Sequence, residues 1–303
     1  MHKKAIKYLI SMVLFVIIMD KSIGFIYERL YFTEKSINHD RLIYSAIGTK
    51  EDVLVFGSSR AYHHYNPLII EEELGLSCFN VGSGGQNIYF HLALLKEAIK
   101  RNKPKIAILD LIYVDFEDAG PKHDKEKLGV LLPFVNKSEI YKNAVFLRGS
   151  TEKIKLLSSI YPYNSKQLYM IRNNLSSQRS DTKGFYGLPR EWNEPIKNDE
   201  IESFEIDVYK LKAIYEFIEI CKKNDINIFI FISPHYAKNI NKENYNYISE
   251  NIHKKYGILV NNFTDSTKYL NIPHYFSDPF HLNKKGADFY SKEVYEYISK
   301  NLD

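Results

Sequence analysis

Short apolar runs alternate with stretches of helical periodicity along much of this chain. Runs of strand type occupy Asp52–Phe56, Cys78–Val81, Ile106–Leu111 and Ile226–Ile232. Between them, apolar residues recur at the three-and-four spacing of an amphipathic helix. Apolar strands separated by helices are typical of a parallel sheet that is covered on both faces. The pattern therefore predicts an α/β protein with a three-layer αβα architecture.

This rhythm is lost over residues 116–200, where prolines and short helical patterns replace it. We interpret this stretch as a mainly helical insertion over the strand ends, either a substrate lid or a packing subdomain. The regular pattern returns with a predicted helix at 203–224. The expected organisation is an N-terminal membrane helix at 1–27, a stem or linker at 28–51, and a catalytic domain at 52–303 that contains the insertion.

The N-terminus has the charge pattern of a membrane-targeting segment. Basic residues up to Lys7 precede the apolar run Tyr8–Met19, and Asp20 and Lys21 separate it from the apolar Ile23–Tyr27. A bilayer needs about 20 mainly apolar residues. A signal anchor, a cleaved signal peptide and an ordinary core helix all remain open. We favour the anchor, because lysines that precede an apolar run stay on the cytoplasmic side and leave the body outside.

Charge and cysteine usage exclude several function classes. The formal net charge is +4, and Lys3, Lys4 and Lys7 supply most of it, so the body is nearly neutral. No nucleic-acid partner is therefore expected. The two cysteines, Cys78 and Cys221, form no metal-type pair. We interpret them as buried free thiols, with a disulfide as the alternative, and we expect neither a metal nor another cofactor.

A serine turn follows the first predicted strand, where Gly57, Ser58 and Ser59 precede a helix-like segment. A serine at such a turn has an exposed hydroxyl beside a helix N-terminus, which favours developing negative charge. This position suits a nucleophile. The same pattern also serves merely to turn a chain or to hold a phosphate.

A candidate base and its orienting group lie more than two hundred residues later. Asp278 precedes His281 by three residues, and Pro279 between them fixes one backbone angle. A serine nucleophile needs a base, and that base needs an anion to hold its tautomer. Because loops that follow parallel strands share one edge of the sheet, we expect these side chains to meet Ser59.

Three sequence blocks resemble those of the SGNH (GDSL-type) hydrolases. Gly57–Arg60 resembles the Gly-Asp-Ser-Leu block, with Ser58 where aspartate usually stands. Asn80–Gly85 is similar to the second block, and Asp278–Asn283 with the following Gly286-Ala287 matches the Asp-x-x-His block. The resemblance spans about residues 52–303 and implies a flavodoxin-like parallel sheet of the SGNH type.

By position, the resemblance implies roles for particular residues. Ser59 is the nucleophile, His281 is the general base and then the acid, and Asp278 orients His281. The amides of Ser59 and Gly82 are expected in the oxyanion hole, where a donor typically contributes about 3 kcal/mol.

The third block of the family, Gly-x-Asn-Asp, departs from the pattern. It falls near Ile112–Asp115, and its asparagine is missing. Either Asn87 or a residue of the insertion replaces it in the oxyanion hole, or the site is weakened.

Other polar residues near the blocks are candidates for substrate binding. Arg60 suits an anionic or sugar substrate, His235 ends the fourth strand, and His63 and His64 follow the nucleophile by a helical turn. Arg60 and the two adjacent histidines have structural alternatives: an ion pair for Arg60 and an exposed helix position for His63 and His64. Asp110, inside an apolar strand, is expected to be a hydrogen-bonded core residue.

Together these features predict a membrane-anchored serine esterase or O-acyltransferase. It would act on acyl groups, with acetyl preferred, of a cell-surface polysaccharide through an acyl-serine. For a transferase, the resemblance implies a membrane acyltransferase partner that supplies the acyl group. The alternatives are a non-catalytic glycan-binding or assembly protein on the same fold, and a soluble lipase or thioesterase.

Overall fold

The computed structural model describes residues 2–34, 36–118, 120–164, 166–175, 182–194, 205–236, 242–270 and 272–302. The strands are β1 Val53–Gly57, β2 Cys78–Asn80, β3 Ile106–Asp110, β4 Asn227–Ile232, β5 Val260–Asn262, β6 Phe276–Asp278 and β7 His281–Leu282. The helices are α1 His2–Thr33, α2 Ile37–Ile47, α3 Ser59–His64, α4 Pro67–Leu74, α5 Ile88–Arg101, α6 Pro121–Glu126, α7 Glu139–Phe146, α8 Glu152–Lys155, α9 Gln167–Leu175, α10 Val208–Lys223, α11 Lys242–Tyr256, α12 Thr267–Leu270 and α13 Lys284–Lys300. Short 3₁₀ helices lie at Tyr113–Asp115, Lys127–Phe134, Tyr161–Tyr163 and Pro273–Tyr275.

The chain forms two compact units. The smaller one comprises Met1–Ile43 and Leu128–Arg179, and the larger one comprises Tyr44–Lys127 and Ser180–Asp303. The larger unit contains all the strands named above and every residue predicted for the site.

The main sheet is parallel, with the strand order β2-β1-β3-β4-β5. This is the doubly wound order of flavodoxin-like folds, and it confirms the predicted fold class. The register pairs Gly57 with Asp110 and Asp110 with Phe231. The carboxyl ends of the three central strands therefore lie side by side, which is where such sheets hold their ligands.

Alternating side chains of the strands supply two apolar layers. On one face, Val55 and Ile108 join a buried cluster with residues of α13, such as Tyr290. On the other face, Phe56 contacts Phe217 of α10 edge to face, with the ring centroids 5.2 Å apart. Helices α5 and α10 pack together on that side, and α3, α4 and α13 pack on the opposite side. Three layers result.

Several elements differ in detail from the sequence prediction. Residues 28–51, interpreted as a stem, form the end of α1 and the helix α2. The helix expected at 203–224 is described from Val208 onward, and residues 203 and 204 lie outside the described part. The stretch before the last helix, expected to be a loop, contains the antiparallel hairpin β6-β7. Cys78 and Cys221 are buried free thiols, as expected.

In the smaller unit, α1 has the length and hydropathy needed to cross a bilayer. Its span Lys3–Thr33 has a mean hydropathy of 2.1 in its most apolar window, of which only 6% is buried. Because these side chains are exposed, the interpretation as a core helix is wrong. Its length, its hydropathy and its place near the N-terminus fit both a membrane anchor and a signal sequence.

Candidate active site

Ser59 is presented by a tight turn at the end of β1. Gly57 has a φ of 141°, and a Cβ atom there would lie 2.6 Å from the carbonyl oxygen of Asp110. Only glycine fits both this conformation and this close approach. The turn buries Ser58, which is 2% exposed, and places the partly exposed Ser59 at the first position of α3. The structure thus distinguishes the two adjacent serines by access.

The hairpin β6-β7 holds His281 against Asp278. One carboxylate oxygen of Asp278 accepts hydrogen bonds from the amides of Phe280 at 2.9 Å and His281 at 3.0 Å. The His281 Nδ1 atom lies 3.0 Å from both carboxylate oxygens. Burial acts to raise the pKa of Asp278, but the contact with His281 and the two amides outweigh it, so this pKa is lowered. The carboxylate is therefore ionised at neutral pH.

Ser59 and His281, distant in sequence, meet at the sheet edge. The His281 Nε2 atom lies 2.8 Å from the Ser59 Oγ atom. Because the Asp278 carboxylate can only accept hydrogen bonds, Nδ1 carries the imidazole proton and Nε2 accepts from the serine hydroxyl. The three side chains predicted for the site are therefore in contact, in the order hydroxyl, imidazole, carboxylate. This order is that of a nucleophile, a base and the group that orients the base.

The hairpin is also fixed directly after His281. Asn283 caps α13: its Oδ1 atom accepts from the Gly286 amide at 3.1 Å, and its Nδ2 donates to the His274 carbonyl at 2.6 Å. The amide of Leu282 donates to the Nε2 atom of the buried His64 at 2.9 Å. The residue directly after His281 is thus tied to α3, the helix that also carries Ser59.

His64 begins a second, buried chain of polar side chains. Its Nδ1 donates to the Ser233 Oγ atom at 3.0 Å, and this hydroxyl donates to Asp110 Oδ2 at 3.1 Å. The other carboxylate oxygen of Asp110 accepts from the Tyr65 hydroxyl at 2.8 Å. Burial, and then the proximity of His281 and Arg60, hold the pKa of His64 well below its usual range. His64 is therefore neutral, with one tautomer fixed by its two partners.

Arg60 belongs to the support of the site and not to its surface, which corrects the prediction that it binds substrate. It is 4% exposed, and its guanidinium donates to the carbonyls of Ser233 at 3.1 Å and Leu111 at 3.0 Å. Burial acts to lower the pKa of Arg60, but Tyr245 and Asp110 raise it, so the guanidinium stays charged. Arg60 thus satisfies carbonyl groups at the ends of β3 and β4.

Two of the predicted oxyanion donors already serve other partners, and these assignments are corrected too. The Gly82 amide donates to Asn80 Oδ1 at 2.9 Å. Asn87 is fully buried: its Oδ1 accepts from the Tyr89 amide at the start of α5, and its Nδ2 lies 3.3 Å from two oxygens of Asp124. A cap residue with this second contact cannot also reach a substrate oxygen.

The glycine loop after β2 still borders the nucleophile. A Cβ atom on Gly84 would lie 3.8 Å from the Ser59 Cβ atom, with no other neighbour closer among the described residues. The Gly84 amide has no hydrogen-bond partner in the part of the chain that the structure describes. Gly84 thus borders Ser59, and its amide is not engaged by another group in that part of the chain, unlike the amide of Gly82.

The two histidines predicted to touch substrate differ in access. His63 is partly exposed, and its ring lies 5.5 Å from the ring of His281, edge to face. His235 is only 3% exposed, and the next amide, that of Tyr236, donates to the Pro279 carbonyl at 2.8 Å. His63 thus stays a candidate for substrate contact. The burial of His235 corrects the prediction that it contacts substrate.

Residues 182–192 lie beside the site, and sequence analysis placed them only within the broad insertion, without naming any of them as site residues. The Tyr186 amide donates to the Tyr62 carbonyl at 3.2 Å, and the Trp192 amide donates to the Phe276 carbonyl at 2.8 Å. The Tyr186 carbonyl lies 2.7 Å from His63 Nδ1, and the Tyr186 ring is 45% exposed. The aromatic residues between glycines in this stretch were the available signal.

The turn that replaces the third block contains no amide side chain toward the site. Asp115 accepts from the Ile112 amide at 3.0 Å, and burial raises the pKa of Asp115 to about 7. The fully buried Lys210 donates to the carbonyls of Val114 at 2.9 Å and Glu117 at 2.8 Å. The described residues contain no group of three metal-ligating side chains.

Comparison with known proteins gives matches among solved structures alone. No family model and no curated protein matches this chain. A Bacteroides fragilis protein described as a "putative acylhydrolase" is 14% identical, with a TM-score of 0.45, and the match covers 86% of this chain and 95% of that one. A Bacteroides thetaiotaomicron GDSL-like lipase is 14% identical, with a TM-score of 0.42, over 82% of this chain and 88% of the other. Similarity at this level assigns no activity to the chain.

Proposed function

We propose that this protein is a serine esterase or O-acyltransferase that works through an acyl-serine at Ser59. The observation that carries the proposal is the contact of His281 Nε2 with Ser59 Oγ at 2.8 Å, with Asp278 on the other ring nitrogen. A partly exposed serine hydroxyl with a base so oriented is what acyl transfer requires.

In the first half of the reaction, the Ser59 oxygen attacks the ester carbonyl while its proton passes to His281 Nε2. The tetrahedral intermediate collapses, the bond to the alcohol oxygen breaks, and the leaving alcohol takes the proton from His281. The acyl group remains on Ser59. In the second half, His281 removes a proton from water or from a sugar hydroxyl, and that oxygen attacks the acyl-serine. The bond between the acyl carbon and Ser59 Oγ then breaks, and the Ser59 oxygen takes the proton back from His281. Asp278 stabilises the imidazolium in both halves.

The negative oxygen of the tetrahedral intermediate needs donors near Ser59. We assign this role to the amide of Ser59, at the first position of α3, and to the amide of Gly84 in the adjoining loop. An oxyanion donor of this kind contributes about 3 kcal/mol to the transition state. No asparagine side chain takes part in this proposal.

For the substrate we propose an acyl ester of a cell-surface polysaccharide, with acetyl as the group. The support is the rim beside His281, where His63 and the exposed Tyr186 offer an aromatic and polar surface for a sugar ring. The helix α1 supports a location at the membrane, with the larger unit on the extracytoplasmic side. For transfer to a sugar, a membrane acyltransferase partner would supply the acyl group.

The test is hydrolysis of an aryl acetate by full-length protein, with and without an acceptor glycan. We expect Ser59→Ala to reduce turnover by about 10³-fold or more, because Ser59 carries the hydroxyl that contacts His281 and the described residues place no other hydroxyl there. Ser58→Ala is the matched control, and we expect near-normal turnover from it. A fluorophosphonate probe should label the parent protein and Ser58→Ala, but not Ser59→Ala. Equal activity of both variants would contradict the proposal.

A non-catalytic glycan-binding protein on this fold is the second candidate. It is favoured by one observation, the engagement of Asn87 and Gly82 with partners other than a substrate. It predicts that the parent protein is not labelled by the probe, yet binds the glycan as tightly as Ser59→Ala does. A soluble lipase or thioesterase is disfavoured by the exposed apolar α1.

A further inference from the structure

We propose that the segment 154–160 of the smaller unit enters the same lipid bilayer as α1 and completes its membrane span. The segment would place Ile154 and Leu157 among the acyl chains. It would cover most of the Asp20 side chain, which is 18% exposed, and accept hydrogen bonds from Lys21, whose side chain is 58% exposed. This inference rests on the proposed anchoring by α1 and adds a second membrane contact to it.

The first observation is a close approach between α1 and the segment. A Cβ atom on Gly24 would lie 2.4 Å from the Ser159 Cβ atom and 2.8 Å from the Ser159 carbonyl carbon and oxygen. No side chain fits in that space. Small residues that let backbones touch are typical of packing inside membranes.

The second observation is that the segment satisfies the charges that interrupt the apolar run. The Asp20 carboxylate accepts from the Ser158 hydroxyl at 2.5 Å and the Ser159 amide at 2.8 Å. Lys21 Nζ donates to the Leu157 carbonyl at 3.1 Å and the Ser159 hydroxyl at 2.9 Å. Charged side chains within membranes are tolerated when protein groups pair with them in this way.

With these charges paired, the apolar surface of α1 continues beyond them. Phe25 and Ile26 are 59% and 54% exposed, comparable to Phe15 and Ile18 in the main apolar run. The stretch from Tyr8 to Ile26 then approaches the length of about 20 residues that a bilayer requires. Without the segment, the uninterrupted run ends at Met19.

The third observation is the exposure of apolar side chains on the segment itself. Ile154 is 70% exposed and Leu157 is 73% exposed, and the Leu157 carbonyl contacts Lys21. They are thus continuous with the apolar surface of α1. The exposed Lys153 beside them suits the headgroups of anionic lipids. This continuity favours lipid as the occupant over another protein chain.

Leu168 offers a matched control at a different depth. It is 83% exposed and lies on α9, which contacts the far end of α1: Asn174 donates to the Leu30 carbonyl at 2.8 Å. Lys166, near the start of α9, lies over the Tyr31 ring. At 1.5 Å per helical residue, this level is about 15 Å beyond Asp20 along α1. Exposure alone therefore does not place Leu168 in the membrane.

The experiment uses full-length protein in vesicles of phosphatidylcholine and phosphatidylglycerol with brominated acyl chains. The sole tryptophan, Trp192, is 4% exposed and gives a constant background. A tryptophan is added in the variants Val13→Trp, Leu157→Trp and Leu168→Trp. We expect roughly half or more of the added emission to be quenched in Val13→Trp and Leu157→Trp, and little in Leu168→Trp.

The outcomes separate this inference from the anchor on which it rests. Absence of quenching in Val13→Trp would overturn the anchor and this inference together. If Val13→Trp is quenched but Leu157→Trp is not, this inference is overturned while the anchor stands. Equal quenching of Leu168→Trp would also overturn it, in favour of a general apolar contact.

A packing variant completes the test. Gly24→Leu forces α1 away from Ser159, so we expect quenching of Leu157→Trp to be lost while that of Val13→Trp remains. Circular dichroism verifies that the helices persist in this variant. Persistent quenching of Leu157→Trp in the Gly24→Leu background would contradict the proposed docking of the segment on α1.

Discussion

Two histidines at the same edge of the sheet each contact a serine hydroxyl, but only one of them has access to a substrate. His281 is 24% exposed at its side chain, and its Nε2 atom meets the partly exposed Ser59. His64 is fully buried, and its Nε2 atom accepts from the Leu282 amide. The same types of side chain therefore form a reactive arrangement in one place and a structural one in the other.

The order of the groups explains the difference. At the surface, the imidazole lies between hydroxyl and carboxylate, so a proton taken from Ser59 leaves an imidazolium that Asp278 stabilises. In the buried chain, the Ser233 hydroxyl lies between His64 and Asp110, and both ring nitrogens of His64 are already engaged. His64 therefore has no ring nitrogen free to accept a proton from the Ser233 hydroxyl. Burial also lowers the pKa of His64, so this ring stays neutral.

The largest effect should come from removing the charge that orients the exposed histidine. In Asp278→Asn, the amide can no longer hold the required tautomer, and we expect kcat to fall by about 10³- to 10⁴-fold with little change in KM. Steady-state kinetics with an aryl acetate measure this.

The equivalent change in the buried chain is the control. Asp110→Asn should lower the unfolding temperature and leave kcat of the folded protein within about tenfold of the parent, since Asp110 contacts no reacting group. If both variants lost the same fraction of kcat, the distinction between the two arrangements would be wrong.

A smaller effect is expected where the two arrangements touch. His64→Leu removes the acceptor of the Leu282 amide, and a buried amide without a partner costs about 1–3 kcal/mol. If that free energy is released by displacement of the hairpin, His281 loses its alignment and kcat falls about tenfold with KM unchanged.

The conservative variant His64→Gln retains an acceptor at a similar distance from the backbone. We expect it to recover most of kcat, whereas a role in packing alone would make His64→Leu the better variant. A full kcat in His64→Leu, with reduced stability, would show that the hairpin holds His281 without help from α3.

The parts of this site that sequence analysis predicted are those with a local signature. Strand runs and helical periodicity gave the sheet, and the parallel order placed Ser59 and the Asp278–His281 pair at one edge. The spacing of the motif residues can be measured along the sequence. The alternation of apolar strands with helices indicates parallel strands, whose carboxyl ends share one edge. Neither inference requires knowledge of tertiary contacts.

The incorrect assignments share a different cause. Arg60 and His235 were predicted to bind substrate because each follows a strand or a turn. Asn87 was expected to replace the missing asparagine of the oxyanion hole. Each of the three is buried. Whether a polar side chain at a strand end points outward depends on which carbonyl or carboxylate groups need a partner. Those partners, such as the Ser233 carbonyl for Arg60, come from elements distant in sequence.

A third histidine separates the effect of burial from that of hydrogen bonding. His91 in α5 is fully buried, and neither ring nitrogen has a hydrogen-bond partner among the described residues. Burial lowers the pKa of His91 to about 3. An unfolded histidine titrates near 6.5, so the unfolded chain binds more protons between these two values. Stability attributed to this residue is therefore complete above about pH 6.5 and decreases as the pH falls toward 3.

Replacement of His91 by leucine removes that titration and fills the site with an apolar side chain. At about pH 4.5, two units below the unfolded pKa, the gain in the free energy of unfolding should be about 2.5 kcal/mol larger than at pH 7.5. Urea unfolding of the parent protein and His91→Leu at both pH values measures this, and turnover at pH 7.5 should be unchanged because His91 lies outside the site.

His64→Leu should instead lower the free energy of unfolding at pH 7.5, since it breaks hydrogen bonds that His91 does not make. If both substitutions raised the free energy of unfolding by the same amount at each pH, burial alone would explain the effect of both histidines on stability. The hydrogen bonds of His64 would then have no separate role in holding the hairpin.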